Sequence, residues 1–370
     1  MVLYNWQFPD WPLFHFEPRL EEELLFDLIE RVGRVSGLVD GLTLEGQMAV
    51  HIDLMIAEAM KTSAIEGEFP DQENIRSSIQ YNLGLTQDLK GIRDRSAIGL
   101  GAMMVDVRRT FQEPLTEEKL FEWHLWLLGE KLHIHAGAWR TGKEPMRVVS
   151  GAIGREVVHF EAPPSVKVPE EMDRFIRWFN DSRPHGRSNM KSALIRAAIS
   201  HVYFESIHPF EDGNGRIGRA IAEKALAQSL GRPVLFSLSR AIEANRQGYY
   251  EALKQAQRSL DISGWIRYFM QTILLAQIDA EAMVDFTLKK AKFFDRFRDL
   301  LNERQMKVIS RMFEEGVKGF EGGMNARKYM SIASTSKATA TRDLQELVSM
   351  GPLRLMGTGG GRSTCYEVNF

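Results

Sequence analysis

A mainly α-helical chain is what this sequence predicts, with one short β-hairpin set into the helices and a smaller helix-and-strand unit at the C-terminus. Three observations predict it. From about Glu21 to Ala280 apolar residues recur at helical spacing in EEELLFDLIERVGRVSGLV, MAVHIDLMIAEAMKTSAIEG, RSAIGLGAMMVDVRRTF and EEKLFEWHLWLLGEK. Valine-rich extended sequence occurs only between Arg147 and Phe160. From about Phe293 the character changes: LNERQMKVISRMFEEG, NARKYMSIA and SKATATRDLQELVSMG read as helices, and LRLMGTGGGRSTCYEVNF as strand, glycine turn and strand.

At 370 residues the chain is long enough for two or three units. The expected division is 1–45, an aromatic arm and first helix; 46–280, the helical core with its hairpin; and 293–370, the C-terminal unit. A net charge of −2 provides no global attraction to nucleic acid or membrane. The one cysteine, Cys365, excludes an internal disulfide and suits a reducing compartment. No apolar run approaches the length of a membrane span, and no basic-then-apolar leader opens the chain, so a cytoplasmic protein without a membrane partner is expected.

Taken in order, YNWQFPDWPLFHFEP is aromatic and proline-rich, too short for a core of its own, and suits an arm laid over the following helices. Next comes Thr62-Ser63-Ala64-Ile65-Glu66-Gly67, where Glu66 closes an amphipathic helix and Gly67 is placed as its C-terminal stop. By its residues alone Glu66 reads as a solvated charge, in an unfavourable place for the helix dipole. MRVVSG and REVVHF flank Ala152-Ile153-Gly154, and Pro163-Pro164 ends the run, so this is a short hairpin. Its edge either closes a connection or docks an extended segment of another chain.

The richest chemistry lies in His208-Pro-Phe-Glu-Asp-Gly-Asn-Gly-Arg-Ile-Gly-Arg219. Gly213 and Gly215 let the backbone turn and present N–H groups to anionic oxygens, with Asn214 between them. From Arg216 onward the pattern is helical, so a phosphate here would also meet a helix N-terminus. Arg216 and Arg219 lie three apart, on one face, where both could grip successive phosphates. Asp212 is a hard oxygen ligand suited to magnesium. His208 is left as the proton acceptor.

The pattern His-x-Phe-x-Asp-Gly-Asn-Gly-Arg-x-x-Arg resembles the Fic family at every defining position, and the resemblance extends over roughly 46–280. It implies transfer of AMP from ATP, with Mg²⁺, to a Ser, Thr or Tyr hydroxyl of a target protein. His208 would be the base and Asp212 the metal ligand. Glu211, Asp212, Gly213, Asn214, Gly215, Arg216 and Arg219 would bind ATP. It also implies that Thr62 and Glu66 belong to an inhibitory helix whose glutamate pairs with Arg219, and that the hairpin is a flap docking the target through Val157, Val158 and His159. Tyr249 and Tyr250 read by themselves as core or rim packing. The resemblance places them at the adenine, with Gln257 where the family has an asparagine.

The C-terminal run resembles a winged helix-turn-helix domain. Ser336 would cap its second paired helix, with Lys337, Thr339, Thr341 and Arg342 on the exposed face and Arg354 and Arg362 on the wing. Those residues suit duplex DNA; Asp343 and Glu346 dilute the basic face, so protein contact or homodimerisation is the competing expectation. Two other functions stand beside AMP transfer: other phosphate-ester chemistry on the same fold, and a DNA-binding regulator that uses the core as a sensor.

Overall fold

The computed structural model describes residues 3–17, 22–87, 94–129, 131, 134–150, 157–356 and 364–370. It divides into two compact units, 1–36 with 47–280 and 37–46 with 281–370. The second division falls inside one helix, α11 (Ser263–Phe297), and not at the composition change near Phe293. A continuous helix has no local sequence break, so only packing reveals where one core ends.

The first unit is helical, as its periodicity requires. In order it contains α1 (Glu22–Asp40, ending in the second unit), α2 (Leu44–Ile65, beginning there), α3 (Gln72–Asn82), α4 (Arg95–Arg109), α5 (Glu117–Leu128), β1 (Arg147–Ser150), β2 (Val157–Glu161), α6 (Val168–Asp181), α7 (Ala193–Ile207), α8 (Asn214–Leu230), α9 (Leu238–Ala244), α10 (Arg246–Ala256) and most of α11. Side-chain caps set several starts: Asp71, Asp94, Thr116, Ser192 and Ser237 each accept a backbone N–H of the first turn. α6 shows a one-sided pattern, burying Met172, Phe175 and Phe179. α7 is buried at every position, so it is the helix around which the others pack. Its buried Arg196 is satisfied by Ser182, Phe179 O, Ala225 O and Gln228.

The N-terminal arm lies over this core. Asn5 is fully buried; its N–H donates to Gln257 O and its amide to Ser206 Oγ. Trp6 Nε1 donates to Glu161 O and Trp11 Nε1 to Glu171. The hairpin pairs β1 and β2 antiparallel, with Val148 opposite Phe160 and Val149 opposite Val158. His159 is therefore the extra residue of a β-bulge, a device that re-aims a side chain. The turn Ala152-Ile153-Gly154 lies outside the described residues.

The second unit runs through α12 (Glu303–Glu314), α13 (Ala326–Ala333), α14 (Lys337–Met350), β3 (Leu353–Leu355) and β4 (Tyr366–Val368), with β3 and β4 antiparallel. Phe293, Phe297, Val308, Ile309, Phe313 and Leu344 are among the residues of its own core. Ser336 caps α14 by accepting Thr339 N–H. Lys337 and Arg342 are exposed, Thr339 and Thr341 half-buried. Asp343 corrects the sequence reading: it is 1% exposed, accepting Tyr329 Oη at 3.0 Å and Arg304 Nε at 3.1 Å, and adds no charge to that face. Arg354 pairs with Glu367, and Arg362 lies outside the described residues.

Candidate active site

His208 ends α7 in the left-handed region, with φ 51° and ψ 59°. A non-glycine residue there is uncommon and needs surrounding support. Arg140 supplies it: Nε donates to His208 O at 2.7 Å, Nη2 to Pro163 O and Ile207 O, and Nη1 to Ser165 Oγ. The Arg140 side chain is buried, which lowers its own pKa to about 10. Burial first, and Arg140 next, lower the His208 pKa to about 4. The imidazole is consequently neutral at physiological pH, the state a general base requires.

The loop after His208 keeps its shape through Phe210. Asn214 Oδ1 accepts Phe210 N–H at 3.0 Å, and Asn214 Nδ2 donates to Phe210 O at 2.9 Å. This changes the expected task of Asn214. Its side chain is spent on the loop, and what remains for a phosphate is its backbone N–H at the head of α8. The Phe210 ring stacks on His124, centroids 4.0 Å apart. Gly213 has φ 82°, as a tight turn into a helix demands, and its N–H is taken by Asp212 Oδ1 at 2.6 Å.

Both motif arginines project from α8 and are almost fully buried, and both hold carboxylates delivered by the end of α2. Arg219 donates from Nε to Thr62 Oγ1 at 2.8 Å, and from Nη2 to Thr62 O at 2.9 Å and Glu66 Oε1 at 2.8 Å. Burial works against its charge, but Glu66, with Tyr249 and Glu205 behind it, outweighs burial and raises its pKa. The Glu66 carboxylate crosses so close to α8 that a Cβ on Gly215 would collide with it. Gly67, at φ 80°, closes α2 as expected. Arg216 Nη1 meets Glu68 Oε2 at 2.5 Å, Lys131 Nζ bridges Glu68 Oε1 at 2.9 Å and Asp212 Oδ2 at 3.1 Å, and Arg216 Nη2 lies 3.6 Å from Asp212 Oδ1. Burial would raise the Asp212 pKa; Arg216 and Lys131 together with the Gly213 N–H reverse this and lower it.

A cavity of about 810 Å³ opens beside Glu66 and His208. Its lining includes His208, Glu205, Gly215, Glu66, Tyr249, Tyr250, Gln257 and, from the hairpin, Val148, Val149, His159 and Phe160. Val157 and Val158 are exposed on the same strand and do not line it. Tyr249 is buried and bonded through its hydroxyl to His201 Nε2 at 2.8 Å, while the part-exposed Tyr250 donates to Ile65 O at 3.2 Å. Gln257 ends α10, its Nε2 donating to Glu205 O at 3.1 Å. Glu205 has a pKa raised to about 8 by burial and, less, by Glu66, with Arg219 acting in the opposite sense.

The structure thus gathers His208, the head of α8, Thr62, Glu66, both tyrosines, Gln257 and His159 around one region. Glu211 points elsewhere, accepting His135 N–H at 3.2 Å. Sequence reasoning missed Glu68, Lys131, Arg140, His124 and Glu205. Glu68 had a faint signal, a second carboxylate just past the Gly67 turn. Arg140 and Lys131 had none, because their partners lie 23 to 81 positions away in the chain.

Residues 114–226 match the Fic/DOC family, and residues 4–85 match a domain of unknown function, DUF4172. Protein adenylyltransferase Fic of Nematostella vectensis is 25% identical over 254 residues, covering 68% of this chain and 54% of that protein. The chain therefore spans about half the length of that relative. Among solved structures, a Fic family protein from Desulfovibrio desulfuricans G20 superposes with TM-score 0.52 at 18% identity, covering 96% of this chain and 98% of that one. A Fic domain containing signaling protein from Bacteroides thetaiotaomicron superposes with TM-score 0.54 at 18% identity, covering 71% and 97%. Both share the fold.

Proposed function

Residues 114–226 are a Fic/DOC-family domain, and on that premise we propose that the chain transfers AMP from ATP to a hydroxyl side chain of a target protein, releasing pyrophosphate. One observation carries the reading: His208, neutral at physiological pH, and the glycine-flanked head of α8 line the same cavity as the tyrosines of α10. The names of the adenylyltransferase relatives support it. In the proposed step the hydroxyl oxygen attacks the α-phosphorus while His208 takes its proton. The α-phosphorus–oxygen bond to the β-phosphate breaks, and Arg216, Arg219 and the backbone N–H groups of α8 stabilise the charge on departing pyrophosphate. Tyr249, Tyr250 and Gln257 border the base, and the hairpin edge at Val157, Val158 and His159 holds the target segment.

Among the described residues no three ligating side chains gather to hold a metal ion by themselves. This fits Mg²⁺ arriving with ATP, since magnesium commonly takes one or two carboxylates plus substrate phosphates. Asp212, deprotonated and 42% exposed, would hold it, and the ion would supply neutralising charge on the phosphate oxygens.

The same reading makes Glu66 inhibitory: its carboxylate occupies the guanidinium that would take the γ-phosphate. For the 293–370 unit, the capped α14 and exposed Lys337 and Arg342 support duplex-DNA binding of a winged helix-turn-helix kind. ATP labelled at the α-phosphate tests the main proposal when compared with ATP labelled at the γ-phosphate. Label retained on protein only from the α position is expected. Retention only from the γ position would indicate phosphoryl transfer, the competing chemistry, and retention of neither refutes both.

A further inference from the structure

We propose that Glu68 is a second inhibitory carboxylate, one that competes with the β-phosphate for Arg216 as Glu66 competes with the γ-phosphate for Arg219. The inference rests on the reading of the site as an ATP site and extends it. Its starting point is that the two buried motif arginines are held by carboxylates two residues apart on one short segment. Gly67 lies between them at φ 80°, and Glu68 N–H donates to Ser63 O, which fixes the turn. The two acids thus reach α8 one turn apart, on the arginines expected to grip successive phosphates.

Glu68 closes a ring of alternating charge. Its Oε2 lies on Arg216, its Oε1 on Lys131, Lys131 reaches Asp212, and Asp212 faces back to Arg216. In this state both cations beside the expected phosphate path are neutralised by groups of the protein itself. The ring is asymmetric in burial. Arg216 is 2% exposed and Glu68 33%. A guanidinium so enclosed is held in place by the packing around it, whereas the carboxylate, already part-exposed, needs only to rotate into water. A phosphate would therefore displace Glu68, and Arg216 would stay. Removal of Glu66 by itself leaves Arg216 covered, so one substitution opens half of the lock.

A series of AMP, ADP and ATP separates the two acids, because only the β-phosphate distinguishes ADP from AMP. Binding is measured by calorimetry in a His208→Ala background, which prevents turnover. Glu68→Gln should tighten both ADP and ATP about fivefold, the net worth of one ordinary hydrogen bond or of a largely exposed ion pair, and leave AMP within about twofold. Glu66→Gly should tighten ATP alone, and the double variant should show both gains. Glu68→Asp, too short to keep the Arg216 contact, should lie between wild type and Glu68→Gln.

Unchanged or weaker ADP binding in Glu68→Gln and Glu68→Asp overturns the proposal. A gain confined to ATP also overturns it, because Glu68 would then only prop Glu66. Failure of every form to bind any adenine nucleotide sinks this inference together with the ATP-site reading. Nucleotide binding with the expected ADP gain, but no transfer of α-label by the same variants with His208 intact, would sink AMP transfer alone.

Discussion

Glu66→Gly removes the carboxylate on Arg219 without touching His208, Asp212 or the loop bonds of Asn214, and should raise transfer well above wild type. The size follows from what is lost. One hydrogen bond of 2.8 Å disappears, while Arg219 keeps both bonds to Thr62. An exposed pair would be worth about 0–1 kcal/mol, and breaking a fully buried one about 3–5 kcal/mol. Here the arginine is 1% exposed and the glutamate 31%, so the pair falls between. A competition of about 1–2 kcal/mol corresponds to roughly a 5- to 30-fold gain in kcat/KM for ATP. The assay is incorporation of α-labelled AMP into the enzyme itself and candidate targets, with pyrophosphate release measured in parallel. Glu66→Gln, which keeps shape and removes charge, should share most of the gain and so exclude a backbone effect of glycine. A rate within about twofold of wild type for both variants, across targets and self-modification, would refute the reasoning and leave Glu66 as an ordinary ion pair.

Three further outcomes are expected. His208→Ala should abolish transfer with nucleotide affinity nearly unchanged; in Glu66→Gly, the acid limb of kcat/KM should fall near pH 4, because a lowered pKa keeps the imidazole neutral until that pH is reached, and a limb at the ordinary histidine value of about 6.5 would contradict the role of Arg140 and burial. Asp212→Ala should lower activity strongly and raise the magnesium concentration needed, read from a metal titration; an unchanged titration would assign the ion elsewhere. If the 293–370 unit binds duplex DNA through Lys337, Arg342 and Arg354, fluorescence anisotropy should show a log–log salt slope of about −3, near 0.9 per neutralised phosphate, that shrinks when Lys337 and Arg342 become alanine.

By itself the sequence determined the elements and the reactive loop. Apolar spacing gave the helices, the valine pairs gave the hairpin, Gly67 gave the end of α2, and Ser336 the start of α14. These are legible because each depends on residues within a few positions of one another. His208 through Arg219 was legible for the same reason, since one turn and one helix start hold the whole motif. Tertiary structure alone decided what those residues face. Glu66 read as a solvated charge until α2 packed against α8 and gave it Arg219. Asn214 had the chemistry of a phosphate ligand, yet it holds Phe210. Asp343 looked like a surface acid, and packing placed it under Tyr329 and Arg304. Arg140 and Lys131 carried no local pattern at all, and Glu68 only a faint one. Their charges acquire meaning only where distant segments exclude water between them, and that exclusion is a property of the packed core.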